Sequence, residues 1–157
     1  MAITLPDAND EKCLILFEKV KKELFSYSES INIKNVDQKF FKEIVIPIAL
    51  YLIGLDKTSK PVLIGLTGGQ GSGKTTLSDF VQLTLKKGFN KKTTGFSIDD
   101  IYKSPRDRKL LGEKIHPMCG VRGVPGTHDV DLGLKTIESL NNASNTTITS
   151  IPVFSKP

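Results

Sequence analysis

The chain has 157 residues, 38% of them apolar and 25% charged, with a net charge of +5. That length is about one domain, and the composition excludes a disordered polyampholyte. The basic balance is mild and is not interleaved with aromatic residues, so it offers no nucleic-acid platform, whereas it suits a binder of polyphosphates. Cys13 and Cys119 stand far apart in no CxxC pairing. This argues against a disulfide framework or a zinc site and fits a reducing compartment. The start is polar and carries Pro6, without the basic start and apolar run of a secretory leader. The most apolar stretch, residues 44–55, is interrupted by Pro47 and is too short to span a bilayer. Together these features point to a cytoplasmic protein with no membrane partner.

In chain order, residues 11–25 have helical periodicity, with Phe17, Val20 and Leu24 on one face. Residues 26–34 form a polar break. A second helix is expected over 37–53, where Phe41, Val45, Ile48 and Leu52 recur at helical spacing, with a kink at Pro47 and a stop at Gly54. Its broad apolar face reads as core packing. Residues 57–61 form a turn. The run Val62, Leu63, Ile64, Gly65, Leu66 suits a short strand covered on both faces. A glycine-rich loop follows. A third helix starts at Lys74, buries Leu77, Phe80, Val81, Thr84 and Leu85, and ends at Gly88. Residues 93–98 read as a second strand, which would complete a βαβ unit. Residues 102–127 are irregular, polar and rich in Gly and Pro, with a short helix near 106–111. Asp129 or Asp131 then caps a helix carrying Leu132, Leu134, Ile137 and Leu140. A turn at 141–145 leads to a third strand at 147–151.

Gly68, Gly69, Gln70, Gly71, Ser72, Gly73, Lys74 and Thr75 match the pattern GxxxxGK[ST], and Thr76 follows. A chance match in a chain this long is roughly a one-in-a-hundred event, and the apolar run before it and the amphipathic helix after it are the context that the pattern requires. Backbone N–H groups must curl around a phosphate with no Cβ in the way, which favours glycine. The following helix adds unpaired N–H groups and the positive end of its dipole. Lys74 is suited to the β- and γ-phosphates of a nucleotide and the Thr75 hydroxyl to Mg²⁺.

Two further segments carry polar chemistry. Asp99 and Asp100 leave the second expected strand, and in a parallel sheet they would share an edge with the glycine loop. A carboxylate there could take a proton from an attacking hydroxyl or hold part of the Mg²⁺ shell; a helix cap or a solvated turn would also use Asp. The run Arg122, Gly123, Val124, Pro125, Gly126, Thr127, His128, Asp129 offers donors and acceptors to a small polar or anionic molecule, or is simply a loop before a helix.

Taken together, GGQGSGKTT at 68–76, SIDDIY at 97–102 and RGVPGTHD at 122–129 resemble the small-molecule kinases that include uridine kinase, phosphoribulokinase and pantothenate kinase, and above all the D-glycerate 3-kinase branch. The resemblance covers roughly residues 60–157. It implies an α/β P-loop NTPase fold: a short parallel sheet flanked by helices, preceded by an N-terminal helical pair over 1–58, all in a single kinase-like domain. It also implies transfer of the γ-phosphoryl group of ATP to a hydroxyl of a small, glycerate-like metabolite, with Mg²⁺. Lys74, Asp99 and Asp100 would be catalytic, Thr75 and Asp99 would face the metal, and Arg122, His128 and Asp129 would contact the acceptor. Relatives run well past residue 157, so a nucleotide-binding protein that does not turn over is the alternative. A GTPase is disfavoured: the segment at 90–93, Asn-Lys-Lys-Thr, lacks the Asp of a guanine-reading NKxD.

Overall fold

The structure, a computed structural model, describes residues 4–56, 60–144 and 146–154. The chain divides into two compact units, residues 1–94 and 95–157.

The first unit is a helical assembly. Helix α1 (Glu11–Ser30) starts where the Asp10 carboxylate accepts the Lys12 N–H at 2.8 Å, and it runs through the first part of the polar break expected at 26–34. Its apolar stripe, Cys13, Leu16, Phe17, Val20 and Leu24, is buried. The next helical stretch is continuous but changes pitch. It comprises α2 (Gln38–Phe40), a π-helical turn (Phe41–Val45) and α3 (Ile46–Leu55). The expected kink at Pro47 meets this π turn, in which the Ile46 N–H reaches back to the Phe41 carbonyl. The wider turn lies where the proline ring would crowd the carbonyl four residues back. Helix α4 (Lys74–Phe89) completes the unit and ends on Asn90, whose φ of 54° is left-handed. Gly88 is therefore not the stop. It lies in the last turn, and a Cβ there would come within 2.6 Å of Leu16 Cδ1, so its bare backbone lets α1 and α4 approach.

An aromatic cluster ties these helices together. Phe80 of α4 stands edge-on to Phe41 at a centroid distance of 5.0 Å and to Tyr27 of α1 at 5.5 Å, and Phe25 is edge-on to Phe41 at 5.1 Å. These are the arrangements that ring quadrupoles favour. The Tyr27 hydroxyl donates to Asp79 of α4 at 3.0 Å, and Lys19 of α1 donates to the Gly88 carbonyl at 2.5 Å.

Among the described residues the expected parallel sheet is absent. Helix makes up 57% of the described residues and strand 1%, which rules out the α/β P-loop NTPase fold with a parallel sheet for this structure. The segments at 61–66, 93–97 and 147–151 run without a hydrogen-bonded ladder. An apolar run becomes a strand only when a neighbour pairs its backbone and both faces are covered, and here Leu63 and Leu66 are 66% and 50% exposed. The turn expected at 57–61 lies mostly outside the described residues. Among the described residues no helix is long and apolar enough to cross a membrane.

The second unit begins with a 3₁₀ turn (Ile98–Ile101), followed by α5 (Pro105–Lys114), a second 3₁₀ turn (Pro117–Gly120) and α6 (Val130–Asn141). The short helix expected near 106–111 is α5, and the stretch around it holds the second 3₁₀ turn as well. Asp129 is the residue that caps α6, accepting the Leu132 N–H at 3.0 Å. The buried face of α6 carries Gly133 and Thr136, while Leu132 and Leu134 are exposed. Gly133 packs where a Cβ would meet Ile101 Cδ1 at 3.0 Å.

Replacing Phe80 by Ala should lower unfolding free energy by about 3–5 kcal/mol in urea titrations, whereas Ile15→Ala, at an exposed position of α1, should stay within about 0.5 kcal/mol. Burial and then the bond to Asp79 raise the Tyr27 phenol above its ordinary value of 10.0. Because the folded value is the higher, this contribution is fully present below pH 10.0 and is lost as pH rises through the folded value. Melting curves between about pH 9 and about pH 12 should show a shallower alkaline decline in Tyr27→Phe.

Candidate functional site

The glycine-rich loop belongs to the first unit. Residues 61–67 approach it without helix or strand, and the turn closes with the Ser72 N–H donating to the Gly69 carbonyl at 3.3 Å. Gly71 and Gly73 have φ of 75° and 78°, left-handed values that a side chain would make costly by about 1–2 kcal/mol each. Gly73 is the N-cap of α4 and brings no side-chain hydrogen bond to it. The free N–H groups of the first turn are thus left to water or a ligand, at the positive end of a 16-residue helix. At Gly68 a Cβ would lie 3.0 Å from Ser72 Oγ and 3.6 Å from the stem of Lys74, so the loop closes tightly on that stem.

The Lys74 ammonium folds over the loop and donates to the carbonyls of Gly68 and Gly69 at 2.8 and 2.7 Å. This holds a full positive charge beside the uncapped amides. Gly69, Gln70, Gly71, Ser72 and Thr75 are exposed, and Thr76 is half-buried on the first turn of α4. The sequence-derived binding residues 68–76 therefore form one continuous bend.

Asp99, Asp100, Arg122, His128 and Asp129 belong to the second unit. With no sheet among the described residues, the argument that placed the two aspartates on a shared strand edge with the loop no longer holds. The aspartates differ sharply. Asp100 closes a capping box: its Oδ2 accepts the Ser97 N–H at 2.8 Å while Oδ1 accepts the Phe154 N–H at 3.1 Å. Both of its oxygens are engaged in tying the chain. Asp99 is half-buried, and among the described residues its carboxylate has no hydrogen bond and no ion pair.

The RGVPGTHD segment is pinned to the segment after the aspartates. Tyr102 and His128 form an isolated antiparallel bridge, flanked by Lys103 N–H to Thr127 O at 2.9 Å and Asp129 N–H to Ile101 O at 2.6 Å. Their rings stack at 4.2 Å. Phe154 stands edge-on to Tyr102 at 5.5 Å, and the Arg122 guanidinium lies 5.5 Å from the Phe154 ring. The structure thus brings Arg122 and His128 into one cluster with Tyr102 and Phe154. It also adds a residue that sequence reading missed: Arg108 of α5, which is buried, lies 5.7 Å from the same Phe154 ring and donates through Nη1 to the Lys103 carbonyl at 2.5 Å. Nothing in the run Pro-Arg-Asp-Arg-Lys at 105–109 separates a buried arginine from a solvated one.

Three curated proteins are similar to the chain. A protein from Schizosaccharomyces pombe named as an uncharacterized kinase is 31% identical over 62% of this chain and 35% of its own length. The chloroplastic D-glycerate 3-kinase of Arabidopsis thaliana is 36% identical over 52% of this chain and 18% of its own length. A Saccharomyces cerevisiae protein named "Probable ATP-dependent kinase" is 36% identical over 52% of this chain and 30% of its own length. All three of these proteins are named as kinases. The chain spans about a fifth to about a third of the length of these relatives. No family model matches it, and no solved structure matches it significantly.

The asymmetry between the aspartates gives a direct stability test. Asp100→Ala strands two backbone N–H groups and should lower unfolding free energy by about 1–3 kcal/mol. Asp99→Asn should stay within about 0.5 kcal/mol. Paired denaturation curves would check both.

Proposed function

We propose that this chain binds ATP through the bend at Gly68–Thr75 and forms part of a kinase-like phosphotransferase that delivers the γ-phosphoryl group to a hydroxyl of a small, glycerate-like metabolite. The observation that carries this reading is the conjunction at the start of α4: two left-handed glycines, an uncapped first turn and the Lys74 ammonium held over the bend. Amides and a cation fixed in advance favour a polyanion, because little reorganises when it arrives.

In this reading the backbone N–H groups of residues 69–75 surround the β-phosphate, and Lys74 leaves the Gly68 and Gly69 carbonyls to balance the β- and γ-phosphates. Among the described residues there is no cluster of three His, Cys, Asp or Glu side chains. That fits Mg²⁺ in its usual role with nucleotides, where phosphate oxygens and water supply most ligands and the protein one or two. Thr75, which is exposed and whose hydroxyl makes no hydrogen bond among the described residues, is the residue of the bend suited to it. When bound, the ion would neutralise charge building on the phosphate oxygens. Asp99, with its carboxylate unengaged, is the better candidate to accept the proton of the attacking hydroxyl; Asp100 is committed to two backbone bonds. Arg122, His128 and the free oxygen of Asp129 are the candidate acceptor contacts.

A second reading, nucleotide binding without turnover, is favoured by the exposure of residues 68–73. Phosphoryl transfer is ordinarily screened from water by closure over the phosphates. Acceptor-dependent ADP release with D-glycerate and a panel of hydroxy acids and nucleosides separates the two: release supports the kinase reading, and ATP binding without it supports the second.

In titration calorimetry with Mg²⁺ and ATP, Lys74→Ala should weaken affinity by about tenfold or more, as expected when a charge-assisted contact is lost. Unchanged affinity would remove the loop assignment. Asp99→Asn should retain ATP affinity and lower turnover by about 10²–10⁴-fold; equal turnover would remove Asp99 from the role of base.

A further inference from the structure

Ser104 and Pro105 are the only Ser-Pro or Thr-Pro pair in the sequence, and Lys103, Arg106, Arg108 and Lys109 surround it. Ser104 is exposed and is the N-cap of α5, with φ of −56° and ψ of 156°. Its hydroxyl oxygen accepts the Asp107 N–H at 3.1 Å, and the hydroxyl donates to Asp107 Oδ2 at 2.7 Å. One turn further on stands Arg108, at the four-residue spacing that shares a helix face. It is 8% exposed, donates through Nη1 to the Lys103 carbonyl at 2.5 Å and leaves Nε buried without a hydrogen-bond partner among the described residues. Nor has it a carboxylate partner among them. A buried guanidinium is ordinarily paired, because its desolvation is unfavourable without a counter-charge. The bond to the Lys103 carbonyl holds this one at the peptide that joins Lys103 to Ser104.

We propose that Ser104 is a phosphorylation site for a proline-directed serine/threonine kinase, and that Arg108 and the first turn of α5 receive the phosphate. In the transfer, Ser104 Oγ attacks the γ-phosphorus of ATP. The Oγ–P bond forms as the bond to the bridging oxygen breaks, ADP leaves, and the hydroxyl proton passes to a carboxylate base of that kinase. Such a kinase needs its substrate extended at the serine, and the backbone of Ser104 already is. The first turn of α5 must open, and it is weakly held, since Arg108 is the one buried residue of that 10-residue helix. Once attached, the phosphate accepts the Asp107 N–H and its neighbours at the positive end of the helix dipole. It also gives Arg108 Nε the charged partner that it lacks. The hydroxyl bond to Asp107 is lost, and that exposed carboxylate turns to water. Because the Lys103 N–H is bonded to the Thr127 carbonyl, the new charge stands beside the bridge that pins the RGVPGTHD segment.

The intact chain is incubated with ATP and a purified proline-directed kinase, and the product is mapped by peptide mass spectrometry. Phosphate on Ser104 is expected, lost in Ser104→Ala and added about tenfold more slowly in Pro105→Ala. The phosphorylated chain should melt about 2–8 °C above the unmodified one, and its Arg108 Nε–H resonance should shift and exchange more slowly with water. Arg108→Gln should remove the gain in melting temperature while Ser104 is still phosphorylated. Where that variant does not fold, the Arg108 resonance decides. Phosphate on other residues alone, phosphorylation of an excised peptide carrying Ser104 but not of the intact chain, or an Arg108 resonance unmoved by the modification would overturn the proposal. An equal gain in melting temperature in Arg108→Gln would do the same.

Discussion

The edge-on contact between Phe80 and Phe41, 5.0 Å between ring centroids, anchors the middle of α4 in the helical core, and the candidate phosphate site depends on that anchoring. A helix end can offer its amides to a ligand only if the rest of the helix is held. Isolated helices of this length are marginal in water. Here Phe80, Val81, Thr84 and Leu85 are buried against the other helices, while Gly73 ends the helix without a side-chain cap. Burial at one end and exposure at the other turn an ordinary amphipathic helix into a fixed electrostatic feature. The Gly88 contact with Leu16 and the Lys19 bond to the Gly88 carbonyl complete the hold at the far end.

The second unit solves a different problem, which is how to order a segment rich in glycine and proline. The isolated bridge between Tyr102 and His128 joins the two halves of the unit, and Phe154 gathers the aromatic and guanidinium groups over it. Asp100 locks the arrangement by accepting from Ser97, 3 positions before it, and from Phe154, 54 positions after it. The result leaves Asp99 with an unengaged carboxylate next to a fully engaged one.

Much of this was legible in the amino-acid sequence where periodicity or backbone chemistry was at stake. Phe17, Val20 and Leu24 at helical spacing mark α1, and Phe80, Val81, Thr84 and Leu85 mark α4, because one buried face repeats every three or four residues. Gly71 and Gly73 mark the bend because only glycine takes such backbone angles freely. The failures share a physical cause. The run Val62–Leu66 has strand composition, but pairing is a property of a neighbour and not of the run itself. On α6 the apolar residues did not reveal the buried positions, since these are Gly133 and Thr136. Arg108 sits among charges and becomes distinctive only when Phe154, 46 positions later by its number, closes over it. The engagement of Asp100 was likewise hidden, because one of its two bonds comes from Phe154.

The measurement that bears most directly on the central claim is a backbone amide NMR titration of the chain with ATP and Mg²⁺. The amides of Gly69, Gly71, Ser72, Gly73, Lys74 and Thr75 should shift together and saturate at one affinity, with the Lys74 ammonium leaving its two carbonyl partners. Amides of this bend that stay unmoved at saturating nucleotide, or that move only in proportion to ionic strength, would contradict it.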